Sequence, residues 1–361
     1  MAVAFLSRTL DQVSTSVTQL QATAATLAPG LVEAPKPEKA PEIRYLLPAQ
    51  WEQEWEAYKN RNARLRNRHA LAGLLRGGIP EHLRKEVWQY LLGATSMDPQ
   101  EAAEQNMPEV PPEVVAQIEL DVLRTFPSDE FFTSADFAGP ERLKEVLLAV
   151  ARADPGLGYC QSLNFVCGAF LSVFPDPAES RMATQVLLQR LQIRNYFTDG
   201  MLQLRADLKV LSKLAKRHAP GVVKLVHANG LELSFICAKW FLSLFSSTLP
   251  LETVRCIWDN MLHDGIQTVF KVALALLMLI ESLLPADARS VDEVVAVSRQ
   301  IVNVDARTVL KMAYDPAIRV PRGELNLMRR EAHSKILHAD AAGDLRNAQM
   351  RRGGRQRQAP W

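Results

Sequence analysis

Polar and apolar positions along most of this chain repeat with the period of a helix rather than that of a strand. In "GPERLKEVLLAVARADPG" (139–156), Leu143, Val146, Leu147 and Val150 stand at i, i+3, i+4 and i+7, which puts them on one helical face. Pro140 suits a first helical position, and the Pro155-Gly156 pair stops the run. Comparable faces recur over 181–194, 201–217, 234–246, 251–262 and 267–284. The last is apolar nearly all round, so Val272, Leu274, Leu277 and Ile280 are expected to be fully buried. Stretches of period two are short, and no fixed-length repeat runs through the chain. "HANGLEL" (227–233) holds an Asn-Gly pair that would suit a hairpin, but helical patterns on both sides favour a turn between helices. The pattern predicts an all-α, multi-helix fold.

The pattern also divides the chain. Residues 1–45, Ser/Thr/Ala-rich and then "EAPKPEKAPE", cannot build a core and read as a disordered leader and linker. An organelle transit peptide has a similar composition and stays open as an alternative. A polar, Trp-bearing helical extension follows at 46–72, then a helical core domain at 73–315. Residues 316–361 read as a C-terminal extension ending in a basic, Gly-rich tail, "RRGGRQRQAPW", expected to be disordered.

Composition narrows the function classes. At 48% apolar and 23% charged, with a net charge of +2, the chain has no overall bias toward a polyanion, and no nucleic-acid partner is expected. The basic segments 59–68 (Lys59, Arg61, Arg64, Arg66, Arg68) and 351–357 read as solvated faces, with a weak contact to anionic membrane as the sharper alternative. Cys160, Cys167, Cys237 and Cys256 lie in apolar runs without a CxxC pair, which reads as reduced core thiols of a cytoplasmic protein rather than a metal site. The longest apolar run, "VALALLMLI" (272–280), falls well short of the roughly 20 residues of a membrane span. No G-x-x-x-x-G-K-[ST] loop occurs, so no nucleotide site and no cofactor of the chain's own are expected.

Two stretches carry candidate chemistry. In "IELDVLRTFPSDEFF" (118–132), Asp121 and Arg124 are three apart, so one helical turn would let the carboxylate hold and aim the guanidinium. Pro127 should push the residue before it out of the α region and end that turn. Taken alone, the two residues are an ordinary surface ion pair. In "GYCQSLN" (158–164), a turn delivers Tyr159, Cys160 and Gln161 to what reads as a helix start. Gln161 is neutral and carries both a donor and an acceptor, so it can hold a water and a phosphate oxygen together. An arginine and a water-positioning glutamine are the side chains that speed GTP hydrolysis in small GTPases.

With these two stretches the chain resembles the TBC domain of Rab GTPase-activating proteins over roughly residues 70 to 290. "RGGIPEHLRKEVWQYLLG" (76–93) is similar to its opening motif, "IELDVLR" to its IxxDxxR motif and "GYCQSLN" to its YxQ motif. "FSSTLPLETVRCIWDNMLHDG" (245–265) is similar to a further stretch of the family. The resemblance implies that 73–315 is a TBC domain that supplies two fingers to a GTP-bound Rab GTPase. Arg124 would be the arginine finger and Gln161 the glutamine finger. It further implies that Asp121 orients Arg124, that Tyr159 contacts the partner or braces Gln161, that Arg76 supports the site, with packing or a helix-capping role as its alternative, and that Asn164 is a local brace. GTP and Mg²⁺ would belong to the partner, and the chain would act in the cytoplasm and on endomembranes in vesicle trafficking. A non-catalytic Rab-binding adaptor is the alternative on the same fold. Ser162 departs from the family's usual glycine, which matters only where the backbone needs a positive φ.

Overall fold

Helix-breaking residues and side-chain caps set the ends of the elements in the computed structural model, which describes residues 49–61, 68–93, 108–134 and 136–356. In chain order the helices are α1 (Ala49–Arg61), α2 (Arg68–Leu75), α3 (Glu81–Leu92), α4 (Pro112–Val122), α5 (Glu130–Thr133), α6 (Gly139–Ala153), α7 (Leu163–Leu171) and α8 (Pro177–Arg190). They continue as α9 (Leu202–His218), α10 (Pro220–Ala228), α11 (Ser234–Leu242), α12 (Leu251–Asp264), α13 (Gln267–Leu283), α14 (Val291–Gln300), α15 (Ala306–Ala313) and α16 (Arg322–Gln356). The described residues contain no strand, so the fold is all-α. Asp176 caps α8 by accepting from the amides of Ala178 and Glu179, just ahead of Pro177. Ser290 and Glu293 form a capping box on α14. The Asn229-Gly230 pair makes the expected interhelical turn between α10 and α11, with Gly230 at φ 74°.

The core sits around α13. Val272, Leu274, Leu277 and Ile280 are fully buried there, as the all-round apolar pattern predicted. Each such side chain contributes about 1.5–3 kcal/mol of transfer free energy. The predicted face of α6 is buried too, through Leu143, Val146, Leu147 and Val150. Trp88 of α3, Trp258 of α12 and Phe170 of α7 meet in the middle, with ring centroids 6.0 Å apart for Trp88–Trp258 and 5.0 Å for Phe170–Trp258. None of the described helices is long and apolar enough to cross a membrane.

A buried polar hub ties the opening segment to α12. The Asp259 carboxylate, fully buried, accepts from Trp88 Nε1 at 2.6 Å, from the Ile79 amide at 3.1 Å and from Arg84 Nε at 3.3 Å. Burial raises the pKa of Asp259, and the Arg84 charge opposes the rise. Asn260 donates to the Leu75 carbonyl at 2.9 Å. At the other end of the chain, Arg329 of α16 reaches across to α9 and grips the fully buried Asp207 with Nε at 2.8 Å and Nη2 at 2.9 Å. Leu325 and Ile336 are buried alongside it. The basic positions 351–356 lie in this same helix, while 357–361, the leader 1–45, Arg64 and Arg66 lie outside the described residues. So do the side chains of Lys59, Arg61 and Arg68.

Candidate functional site

The first turn of the site follows α4. That helix ends at Val122, so Arg124 stands just beyond it, and the Arg124 amide still donates to the Asp121 carbonyl at 3.3 Å. Thr125 Oγ1 donates to that carbonyl at 2.7 Å. Phe126, ahead of Pro127, leaves the right-handed α region as expected, but into a positive φ of 47°. Its ring lies against Phe132 and Phe165, at 5.3 and 5.5 Å between centroids, and this packing holds the unusual backbone in place. Asp121 is fully buried, whereas the Arg124 side chain is 52% exposed. The guanidinium pairs with Asp121 Oδ1, and Tyr159 OH donates to Oδ2 at 2.5 Å. Tyr159 therefore braces the arginine's carboxylate. Burial, then the bond to Asp121, raises the Tyr159 pKa, so the phenol stays neutral and keeps donating.

The second turn carries Gln161. It starts where α6 ends at Ala153, passes through Gly158 at φ 57° and closes at Ser162, after which α7 begins. Ser162 adopts φ 88° and its side chain makes no capping bond. Its replacement of a glycine therefore does matter, because the position requires a left-handed backbone that strains any residue with a Cβ. Gln161 is exposed, and its side chain has no hydrogen-bond partner among the described residues. Cys160 is partly buried, and burial, then the nearby Asp121 charge, pushes its thiol up to about 11. At neutral pH it is a protonated packing group, not a nucleophile. All four cysteines are free.

Asn164 fastens the two turns together. It is fully buried, accepts from the Ser162 amide at 3.1 Å, and donates to Thr125 Oγ1 at 2.7 Å and to the Asp121 carbonyl at 3.4 Å. Gly168 lets α7 approach the first turn, since a Cβ there would meet the Phe126 ring at 2.9 Å. Arg124, Asp121, Tyr159 and Asn164 thus form one network, with Gln161 beside it.

Arg76 belongs to a different cluster. It bonds Asn260 Oδ1 and, at 2.7 Å, Asp264 Oδ2, and it lies over the Tyr314 ring at 3.5 Å. These contacts tie Arg76 to α12 and to Tyr314.

Three features were not singled out from the sequence. Leu120 and Leu123, 64% and 77% exposed, flank Asp121 and Arg124 on the chain. Their positions break the apolar face of α4, which is the signal that could have marked them. Thr125, the hydroxyl between Asp121 and Asn164, is buried. Lys239 of α11 stands within electrostatic reach of Arg124: burial and then the Arg124 charge lower its pKa. Its proximity to a like charge 115 positions away leaves no local sequence signal.

Comparison with known proteins bears on the family and the fold. A family model described as Rab-GTPase-TBC domain matches residues 81–284. Growth hormone-regulated TBC protein 6 of Caenorhabditis elegans is 37% identical over 211 residues, a match covering 58% of this chain and 61% of that protein. The chain therefore spans about three fifths of the length of that curated relative. Among solved structures, the flagellar RabGAP TBC domain of Chlamydomonas superposes with a TM-score of 0.61 at 23% identity, covering 74% of this chain and 96% of that one. The Ypt/Rab-GAP domain of Gyp1p gives a TM-score of 0.62 at 19% identity, with 73% and 97% covered. At those identities the likeness concerns the fold, and the family match over more than half the chain supplies the rest: the protein belongs to the Rab-GTPase-TBC domain family.

Proposed function

We propose that this chain accelerates GTP hydrolysis by a GTP-bound Rab-family small GTPase, with Arg124 and Gln161 entering the partner's nucleotide site. The observation that carries the reading is the shared network: a buried Asp121 holds a half-exposed Arg124, and Asn164 fastens that turn to the one presenting Gln161. Phosphoryl transfer spreads negative charge over the oxygens of the γ-phosphate, and a guanidinium answers it with several fixed donors. Asp121 aims the guanidinium before the partner arrives, which lowers the ordering cost in the transition state. Gln161 donates and accepts at once, so it orients the attacking water while bonding a phosphate oxygen. Leu120 and Leu123 offer apolar surface to the partner beside the fingers. GTP and Mg²⁺ come with the partner. The chain works in the cytoplasm and on endomembranes, where it ends Rab signalling in vesicle trafficking. The basic segments 59–68 and 351–357 add at most a weak anionic-membrane contact.

Phosphate release from a panel of GTP-loaded Rab proteins, with and without the chain, tests the reading. At least one member should be strongly accelerated, and Gln161→Ala should remove most of that acceleration while the chain stays folded. Full activity of Gln161→Ala, combined with complete dependence on the partner's own glutamine, overturns the two-finger account. Absence of any accelerated Rab, with binding retained, leaves the adaptor reading.

A further inference from the structure

The turn that presents Gln161 is held from the side opposite the finger network. Asp154 caps the end of α6, and its carbonyl accepts from the amides of Leu157 and Gly158, both at 2.9 Å. Its carboxylate works at the same time: Oδ1 accepts from the Leu157 amide at 3.0 Å. Both carboxylate oxygens also receive Arg194, with Nη2 at 2.5 Å from Oδ1 and Nε at 2.6 Å from Oδ2. This is the two-pronged geometry that fixes direction as well as distance. The guanidinium lies across the turn, since a Cβ on Gly156 would meet Arg194 Nη2 at 3.0 Å.

Arg194 is exposed, but it is held at two points and its segment is anchored. It opens a short 3₁₀ turn, Arg194–Tyr196, that follows the fully buried Ile193. Tyr196, also fully buried, donates to Asp207 Oδ2 at 2.5 Å, and the same carboxylate is gripped by Arg329 of α16. The post that holds Asp154 is therefore anchored in the core and, through Arg329, to the C-terminal helix outside the matched family region 81–284. The mutual shifts agree with a standing pair: the hydrogen bond from Arg194 lowers the Asp154 pKa, and the bond to Asp154 raises that of Arg194.

We propose that the Arg194–Asp154 fork is the positioning device of the glutamine finger, fixing the 154–158 turn so that Gln161 presents its amide at one place. The proposal rests on the reading of Gln161 given above. Neither residue touches the partner in this account. They act through the backbone of the turn.

The test uses the full chain with Arg194→Ala, Arg194→Lys and Gln161→Ala. Amide hydrogen exchange of the free protein comes first, and needs no GTPase. Arg194→Ala should speed exchange at 155–161 and leave the α7 amides protected, with Arg194→Lys in between because it keeps the charge but not the fork. Single-turnover hydrolysis with an accelerated Rab follows. Arg194→Ala should lower the rate at saturation by about 10- to 100-fold, the scale of a displaced catalytic group, with the half-saturating concentration unchanged. In a Gln161→Ala background the same change should add nothing, because the group it positions is gone. The thermal melting point should move no more than for an ordinary surface substitution. Unchanged exchange at 155–161 overturns the proposal whether or not any Rab responds. So does a rate loss that adds in full to that of Gln161→Ala, or one that tracks a fall in melting point. If no Rab responds to the wild-type chain but exchange behaves as expected, it is the proposed function that has failed, and the fork remains the device that holds the turn.

Discussion

Two arginine–aspartate pairs in this protein use the same chemistry to opposite ends. In the Arg84–Asp259 pair both side chains are fully buried. In the Arg124–Asp121 pair the carboxylate is equally buried but the guanidinium is 52% exposed. Asp259 collects three donors, from Trp88, Ile79 and Arg84, and joins the opening segment to α12. Asp121 accepts a hydrogen bond from Tyr159 and forms an ion pair with Arg124, whose guanidinium stays half-exposed. The difference lies in what each arginine has left over: the Arg84 donors are spent inside the fold, whereas part of the Arg124 guanidinium faces outward, as the proposed finger role requires. An arginine whose donors are consumed inside can only hold the fold. One that is aimed from below, with donors left outside, has something to offer a second molecule.

The largest expected effect that sharpens this contrast is on the buried side. Asp259→Ala takes from the fully buried Arg84 the deeper of its two carboxylates, the other being the exposed Glu81, and should cost about 3–5 kcal/mol in urea unfolding, whereas Arg124→Ala leaves the buried Asp121 its bond from Tyr159 and should cost clearly less. Equal losses would erase the distinction. A smaller effect concerns the Arg76 cluster. Burial pushes the pKa of Asp264 up, but the hydrogen bond from His263, the Arg76 charge and the Tyr314 hydroxyl outweigh it and bring it to about 2. The unfolded value is about 3.9, so the folded state releases its proton more readily. That stability is complete above about pH 4 and is lost as pH falls through about 2, a difference of on the order of 2 kcal/mol. Asp264→Asn should flatten this part of an acid-unfolding curve, and an unchanged curve would remove Asp264 from the account. The smallest effect is at Ser162. Ser162→Gly relieves its left-handed backbone without losing a capping bond, so stability should rise by up to about 1 kcal/mol. A fall in stability would mean the serine side chain has a role its contacts do not reveal.

How much was legible in the sequence follows from the range of each interaction. The buried faces of α6 and α13 depend on residues three and four apart, so periodicity displayed them. The Asp121–Arg124 pair is equally local, and it forms even though α4 stops short of Arg124. By contrast, Asn164 reaches Thr125, Arg194 reaches Asp154 and Arg329 reaches Asp207 across 39, 40 and 122 positions. Such contacts leave no periodic trace, because the chain between them can have any pattern. Ser162 shows the same limit in the backbone: nothing in its own side chain announces φ 88°, and only the glycine usual at that place in the family hinted at it. The packing of α16 was hidden because its anchors, Arg329 with Leu325 and Ile336, are sparse in a mostly polar segment, which composition alone reads as solvent-exposed.

The central claim is that Arg124, although it pairs with a buried carboxylate, presents donors outward for catalysis, and one paired measurement reaches it most directly. Single-turnover GTP hydrolysis by a responsive Rab and thermal melting would be recorded for the wild-type chain, Arg124→Ala and Arg84→Ala. Arg124→Ala should melt closer to the wild type than Arg84→Ala does, still bind the GTP-loaded partner, and lose about 10³- to 10⁵-fold in rate, or roughly 4–7 kcal/mol of barrier. Arg84→Ala should show the reverse: a clear drop in melting point and, where the chain remains folded, a rate near that of the wild type. A folded Arg124→Ala protein that hydrolyses at close to the wild-type rate would contradict the account.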